Sequence, residues 1–152
     1  MMNYLDEFRR RTTEHIERAG RTVVGVFPTE DDPGVPFAYT IGNHLKGLPE
    51  LLVIGVAVAG AGFLNVLSHR MIAAGHGFKD GETIRILGGK MPVKLIRAGA
   101  AAREEYTVQA GAHFGHDEYE VMQVLIPDKQ GRFPGEDGCD EPYASVPVLR
   151  VQ

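Results

Sequence analysis

The sequence predicts a single α+β domain with a largely antiparallel sheet and two or three packed helices. Segments with apolar residues at helical spacing are interspersed with short β-rich segments, which is the pattern of a mixed fold. Most links between the β-rich segments are short and rich in Gly, Pro and Asp, as hairpins require. Only residues 51–87 offer the strand, helix, strand order that a parallel crossover needs, so a doubly wound parallel sheet is disfavoured. A split-barrel-like β domain with added helices is the alternative arrangement. A chain of 152 residues is one domain's worth, and at that size about two thirds of the unfolded surface is buried on folding.

The elements follow from periodicity. Residues 3–19 carry Tyr4, Leu5, Phe8, Thr12, His15, Ile16 and Ala19 at helical spacing and stop at Gly20, which predicts an amphipathic first helix. Residues 22–27 are β-rich and end at Pro28, and the Asp, Pro and Gly content of 29–36 predicts a loop. Residues 37–41 predict a second strand, and residues 51–58, apolar on both faces, predict a central third. Helical spacing returns over 61–74 through Phe63, Leu64, Leu67, Met71 and Ile72. Residues 83–87 and 91–97 flank Gly88-Gly89-Lys90 and predict a hairpin. Residues 100–113 fit a helix by their alanines and charges, although Tyr106-Thr107-Val108 would suit a strand. A strand is predicted over 119–126, then a turn at 127–131. The Gly- and Pro-rich tail from 132 to 152 is expected to wrap the surface, with 146–151 as an edge strand.

Composition narrows the function classes. Hydrophobic residues make up 43% and charged residues 24% of the chain, with a net charge of −4, an ordinary balance for a soluble globular protein. Arg9-Arg10-Arg11 lies among Asp6, Glu7, Glu14 and Glu17, a mixed-charge solvated face rather than a phosphate-binding arm, and nucleic acid is not an expected partner. The long apolar run 48–67 contains Pro49, Glu50, Asn65 and three glycines, so a buried strand followed by a helix explains it better than a membrane span. Residues 1–11 carry charge without an apolar core of signal-peptide length. One cysteine, Cys139, cannot pair within the chain, which fits a reducing cytoplasm.

The richest stretch is Phe37-Ala38-Tyr39-Thr40-Ile41-Gly42-Asn43-His44, followed by Gly47-Leu48-Pro49-Glu50. Strand alternation puts Phe37, Tyr39 and Ile41 on one face and Ala38 and Thr40 on the other. Tyr39 reads as a core residue with its hydroxyl at the edge. Glu50 stands just before a very apolar strand, where desolvation raises a carboxyl pKa unless a cation or donor answers it. Two readings stay open for it: a salt link to Arg21, Arg70 or Arg85, and a functional acid or base.

Other motifs are weaker. His113 and His116, followed by Asp117 and Glu118, have donor types suited to Zn²⁺, but no second pair with ligand spacing accompanies them, so no metal is assigned. Cys139 lacks electropositive neighbours and reads as a spectator thiol. The run from Gly55 to Gly62 precedes a helix but lacks both the Lys-Ser/Thr ending of a P-loop and the G-x-G-x-x-G pattern.

Four blocks carry a family resemblance: Val23-Val24-Gly25-Val26; Pro36-Phe37-Ala38-Tyr39-Thr40-Ile41-Gly42 running on to Leu48-Pro49-Glu50-Leu51; Phe63-Leu64-Asn65-Val66-Leu67; and residues 121–134, which include Gln123 and Asp128. In these the chain resembles the bacterial family catalogued as domain of unknown function 4262. The chain has no tryptophan, and Ile126 and Gly135 stand where members of that family often carry an aromatic. The resemblance implies one fold unit of bacterial cytoplasmic origin and brings no established activity. It directs weight to Tyr39, Thr40, Glu50, Asn65, Gln123 and Asp128, which fall inside the matching blocks, and away from His113, His116 and Cys139.

Two classes of function follow. One is a small-molecule-binding domain or small enzyme, with Glu50 as acid or base, Tyr39 and Thr40 orienting the ligand, and Asn65 and Gln123 supplying neutral hydrogen bonds in one pocket. The other is a noncatalytic interaction or accessory module acting on a protein partner, with a homodimer as one form. No cofactor is strongly implied; a flavin enters only through a loose similarity of residues 40–67 to split-barrel flavin-binding proteins.

Overall fold

A computed structural model describes residues 3–31, 33–55 and 57–151. Six strands form one sheet, β1 (Thr22–Val26), β2 (Phe37–Ile41), β3 (Glu50–Ile54), β4 (Glu82–Ile86), β5 (Met91–Arg97) and β6 (Val121–Leu125), in the order β1-β2-β3-β6-β5-β4. Two antiparallel three-stranded meanders therefore stand side by side. They join through the parallel pair β3 and β6, with Glu50 opposite Val121 and Leu52 opposite Gln123. The crossover between the meanders is the helix α2 (Ala57–Ala74). The sheet is open, with β1 and β4 at its edges among the described residues, so the α+β expectation holds and the split-barrel alternative is not adopted.

Each face of the sheet has its own core. Leu64, Leu67 and Met71 of α2 pack with Ala38, Leu51, Val53, Leu95 and Val124 on one face. On the other, Ile16 of α1 (Tyr4–Ala19) and Ala110 of α3 (Val108–Phe114) pack with Tyr39, Ile41, Leu52, Ile54 and Val121. This division is why β3 is buried at every position: a strand covered on both faces reads as an unbroken apolar run. Helix α1 starts at Asn3, whose side chain accepts the Asp6 N–H at 2.8 Å, and ends at Gly20 with φ of 84°, as a left-handed C-cap favours. Its inward stripe is Phe8, Thr12 and Ile16, while Tyr4 and Leu5 are exposed.

Three expectations are corrected. The third strand ends at Ile54 rather than at residue 58, because Gly55, at φ of 95°, turns the chain out of the sheet and α2 begins at Ala57; Val56 lies outside the described residues. The segment 100–114 is helical, but broken: a π-helical turn over Ala102–Tyr106 closes with Thr107 N–H donating to the Ala102 carbonyl, and α3 follows. The tail 146–151 is not an edge strand. Only Arg150 bridges to Ala98, and the Gln123 amide satisfies part of the segment that a neighbouring backbone would otherwise pair.

Candidate functional site

Four buried polar side chains gather where β2 leaves the sheet. Thr40, Asn43, Glu50 and Ser68 all have 0% exposure. The Glu50 carboxylate accepts from the Thr40 hydroxyl at 2.7 Å and from the backbone N–H groups of Gly42, Asn43 and His44 at 3.0, 3.2 and 3.0 Å. Those amides open a 3₁₀ turn, Asn43–Lys46, whose first N–H groups have no partner of their own. Glu50 thus does the work of an N-cap from a neighbouring strand. Thr40 Oγ1 in turn accepts the Leu51 N–H at 2.9 Å and the Asn43 amide at 3.4 Å, and Asn43 Nδ2 also donates to Ser68 Oγ of α2 at 2.9 Å. Burial pushes the Glu50 pKa up, and the four hydrogen bonds, His44 N–H foremost, oppose that rise. Donors surround the group on all four contacts, an arrangement suited to an acceptor-only carboxylate.

The salt links expected for Glu50 are not formed with Arg70 or Arg85, which donate to the Arg85 and Gly89 carbonyls. Arg21 feels the Glu50 charge, but its guanidinium lies against other side chains, Asn65 Oδ1 at 3.1 Å and His69 Nε2 at 3.3 Å. Asn65 is exposed on α2, so it interrupts its apolar run as a surface residue and not as a buried one. Tyr39 is 1% exposed, and its hydroxyl accepts the Gln109 N–H at the start of α3 at 3.2 Å. Burial pushes its pKa up to about 12. Gln123 donates to the Pro147 carbonyl at 2.7 Å and accepts the Leu149 N–H at 2.8 Å, so both ends of its amide are committed to the C-terminal segment. Thr40 and Glu50 are brought together, while Asn65, Gln123 and Tyr39 occupy separate surroundings. Asn43 and Ser68 complete the polar set; Asn43 lies inside the stretch read as richest, while Ser68, between Leu67 and His69, carries no signal of its own.

Asp128 organises a second polar centre. Its carboxylate accepts from the N–H groups of Gln130, Arg132 and Asp140 at 2.9, 2.8 and 2.9 Å, and the Arg132 guanidinium reaches it at 3.4 Å. Burial works to raise its pKa, but those N–H groups and Arg132 outweigh it and hold the group below the ordinary value of 3.8. A carboxyl with a depressed folded pKa adds stability that is present above the unfolded value and is lost as pH falls through the folded one. The loop 128–140 is therefore expected to loosen on acidification below about pH 4. Amide exchange at Gln130, Arg132 and Asp140 measures this, and in Asp128→Asn the acid-dependent increment should vanish.

Two concavities lie apart from these centres. An open cleft of about 500 Å³ is lined by His44, Leu48, Arg103, Asp117, Glu118 and Tyr119, among others. At its edge the His44 ring packs against Phe114 and His116, with centroids 4.9 and 5.5 Å apart. His116 Nδ1 accepts the Glu118 N–H at 3.0 Å, and His113 Nδ1 lies 3.4 Å from Thr13 Oγ1. Among the described residues no group of three or more His, Cys, Asp or Glu is placed to hold a metal ion. Cys139 is half-buried with its Sγ against the Arg132 carbonyl, and burial, with the acids around it, raises its pKa. The second concavity, about 330 Å³, is more enclosed and largely apolar. Val35, Pro36, Ile54, Val124, Ile126 and Val146 line it, with Tyr143 and Ser145 among the polar side chains. It sits at the carboxyl ends of β3 and β6, and no feature of the sequence singled it out: its walls come from five stretches, around residues 35, 54, 125, 134 and 144, each ordinary by itself.

No helix among the described residues is long and apolar enough to cross a membrane. No curated protein and no solved structure matches the chain. A family model described as "Domain of unknown function (DUF4262)" matches residues 15–140, most of the chain. The match spans β1 to β6, α2 and the Asp128 loop, and the chain belongs to this domain-of-unknown-function family.

Proposed function

We propose that the domain binds a small, largely apolar molecule in the cavity at the carboxyl ends of β3 and β6. The largely apolar concavity of about 330 Å³ carries this reading. It falls within the usual range for small-molecule sites, which combine an apolar lining with a few polar groups. Its position supports the assignment, since crevices at the carboxyl ends of parallel strands are recurrent ligand sites. Tyr143 and Ser145 are the polar side chains of the lining, and since Ser145 is already engaged by the Glu141 carboxylate, the polar contact to a ligand is assigned to Tyr143. In this reading Gln123 acts at one remove: by holding Pro147 and Leu149 it keeps the adjoining Tyr143 to Val146 wall in place. Thr40, Asn43 and Glu50 form a structural clasp, and no acid or base role is proposed for Glu50, whose surface is wholly enclosed.

The test is a thermal-shift screen with single-ring and short-chain apolar molecules, repeated on Val146→Trp. Val146 is half-buried and borders the cavity, so an indole there occupies the space while the sheet is left intact. A ligand at a hundred times its Kd stabilises the native state by about 2.7 kcal/mol. That gain should appear in the native chain and disappear in the variant. A ligand that stabilises both equally would place its site elsewhere.

A further inference from the structure

We propose that β1 is a dimerisation edge, pairing antiparallel with β1 of a second copy of this chain to make one continuous sheet. An edge strand presents unpaired N–H and C=O groups, and monomeric proteins blunt such edges with charge, proline or twist. The two edges of this sheet differ in that respect. β4 carries Glu82 and Arg85, while residues 22–27, Thr-Val-Val-Gly-Val-Phe, contain neither a charge nor a proline. On and just beyond this bare edge Val26 and Phe27 are 38% and 56% exposed, and the Phe27 ring folds back over Gly25, whose added Cβ would lie 3.2 Å from it.

Charge at the two ends of the strand selects the occupant and its direction. At the amino end stands Arg21, whose guanidinium meets Asn65 and His69 and also feels the Glu50 charge, with Lys46 Nζ on the adjoining Gly20 carbonyl at 3.3 Å. Beyond the carboxyl end come Glu30 and Asp31, both exposed. Two copies paired antiparallel set the cationic end of each strand against the acidic end of the other, whereas parallel pairing sets like against like. Antiparallel pairing about a twofold axis also closes after two copies, with the same residues used on both sides. The chain's net charge of −4 would repel a copy elsewhere, but the strand itself is neutral.

Sedimentation equilibrium of the full chain at micromolar to hundred-micromolar concentration tests the proposal, beside Val26→Lys/Phe27→Lys and an edge control, Thr83→Lys on β4. The expected result is a dimer for the native chain and for Thr83→Lys, and at least a tenfold weaker association for the β1 variant with unchanged circular dichroism. Amide exchange should show concentration-dependent protection confined to residues 22–27. If the β1 variant does not fold, Glu30→Lys/Asp31→Lys, which leaves the strand untouched, should still weaken the dimer at low salt. A monomeric native chain, a dimer indifferent to both β1-end variants, or a dimer lost in Thr83→Lys would overturn it.

Discussion

Gly42→Ala is expected to unfold the protein or to bring it close to unfolding. Gly42 sits at φ of 137° and ψ of −27°, a region in which an L side chain is strained. A Cβ there would also lie 2.5 Å from the Gly20 carbonyl oxygen and 2.7 Å from Arg21 Cα. Both obstacles are backbone, so no rotamer change relieves them. Strain of that kind costs about 1–3 kcal/mol and overpacking about as much again. Together, at about 2–6 kcal/mol, they reach the lower end of the stability of a domain this size, of order 5–15 kcal/mol. Circular dichroism and a urea titration of the variant measure the effect; a soluble variant with a native unfolding midpoint would show that the β1 to α1 junction is not pressed against the turn.

Glu50→Gln should cost about 2–4 kcal/mol, because it leaves buried donors facing a donor. Oε1 receives Thr40 and Asn43, and Oε2 receives Gly42 and His44. Whichever way the new amide points, its NH₂ meets two of those four groups. The 3₁₀ turn that follows β2 loses its cap, and β2 and β3 lose the tie that Thr40 makes between Glu50 and the Leu51 N–H. Guanidinium unfolding with amide exchange at residues 42–44 separates this from a catalytic role. A variant of native stability and native exchange would remove the structural account and return Glu50 to the acid or base reading.

The strands, helix caps and hairpins were readable from the sequence because their causes are local. Alternation in Phe37-Ala38-Tyr39-Thr40-Ile41 sorts side chains to the two faces as the cores require, and Asn3 and Gly20 bound α1 through contacts within a few residues. The unbroken apolar run of β3 marked a central strand for the same reason. Local pattern failed where a backbone angle intervened. The valines and alanines of 55–58 suit a strand, but the left-handed conformation of Gly55 ends it. It failed again in the tail, where Val146 to Val151 has β character but Pro147 carries no N–H, and a side chain, Gln123, stands in for the ladder partner.

The polar residues show the same boundary. That Glu50 needs an answering donor or cation follows from its place beside an apolar run. Which group answers does not, because the backbone amides of 42–44 are brought to it only when β2 and β3 pair and the chain turns between them. Asn65, expected in one pocket with Glu50, is instead exposed on α2, since helical spacing, not adjacency, sets which way it faces. By itself the sequence determined the fold class, most of the element types and the family blocks, which rest on composition and short-range period. Only the tertiary structure decided the joining of β3 to β6, the Thr40, Asn43, Glu50 and Ser68 clasp and the cavity beneath the C-terminal segment. Each of these is made by residues far apart in the chain, whose meeting is paid for by burial of the whole core and is written in no single stretch of it.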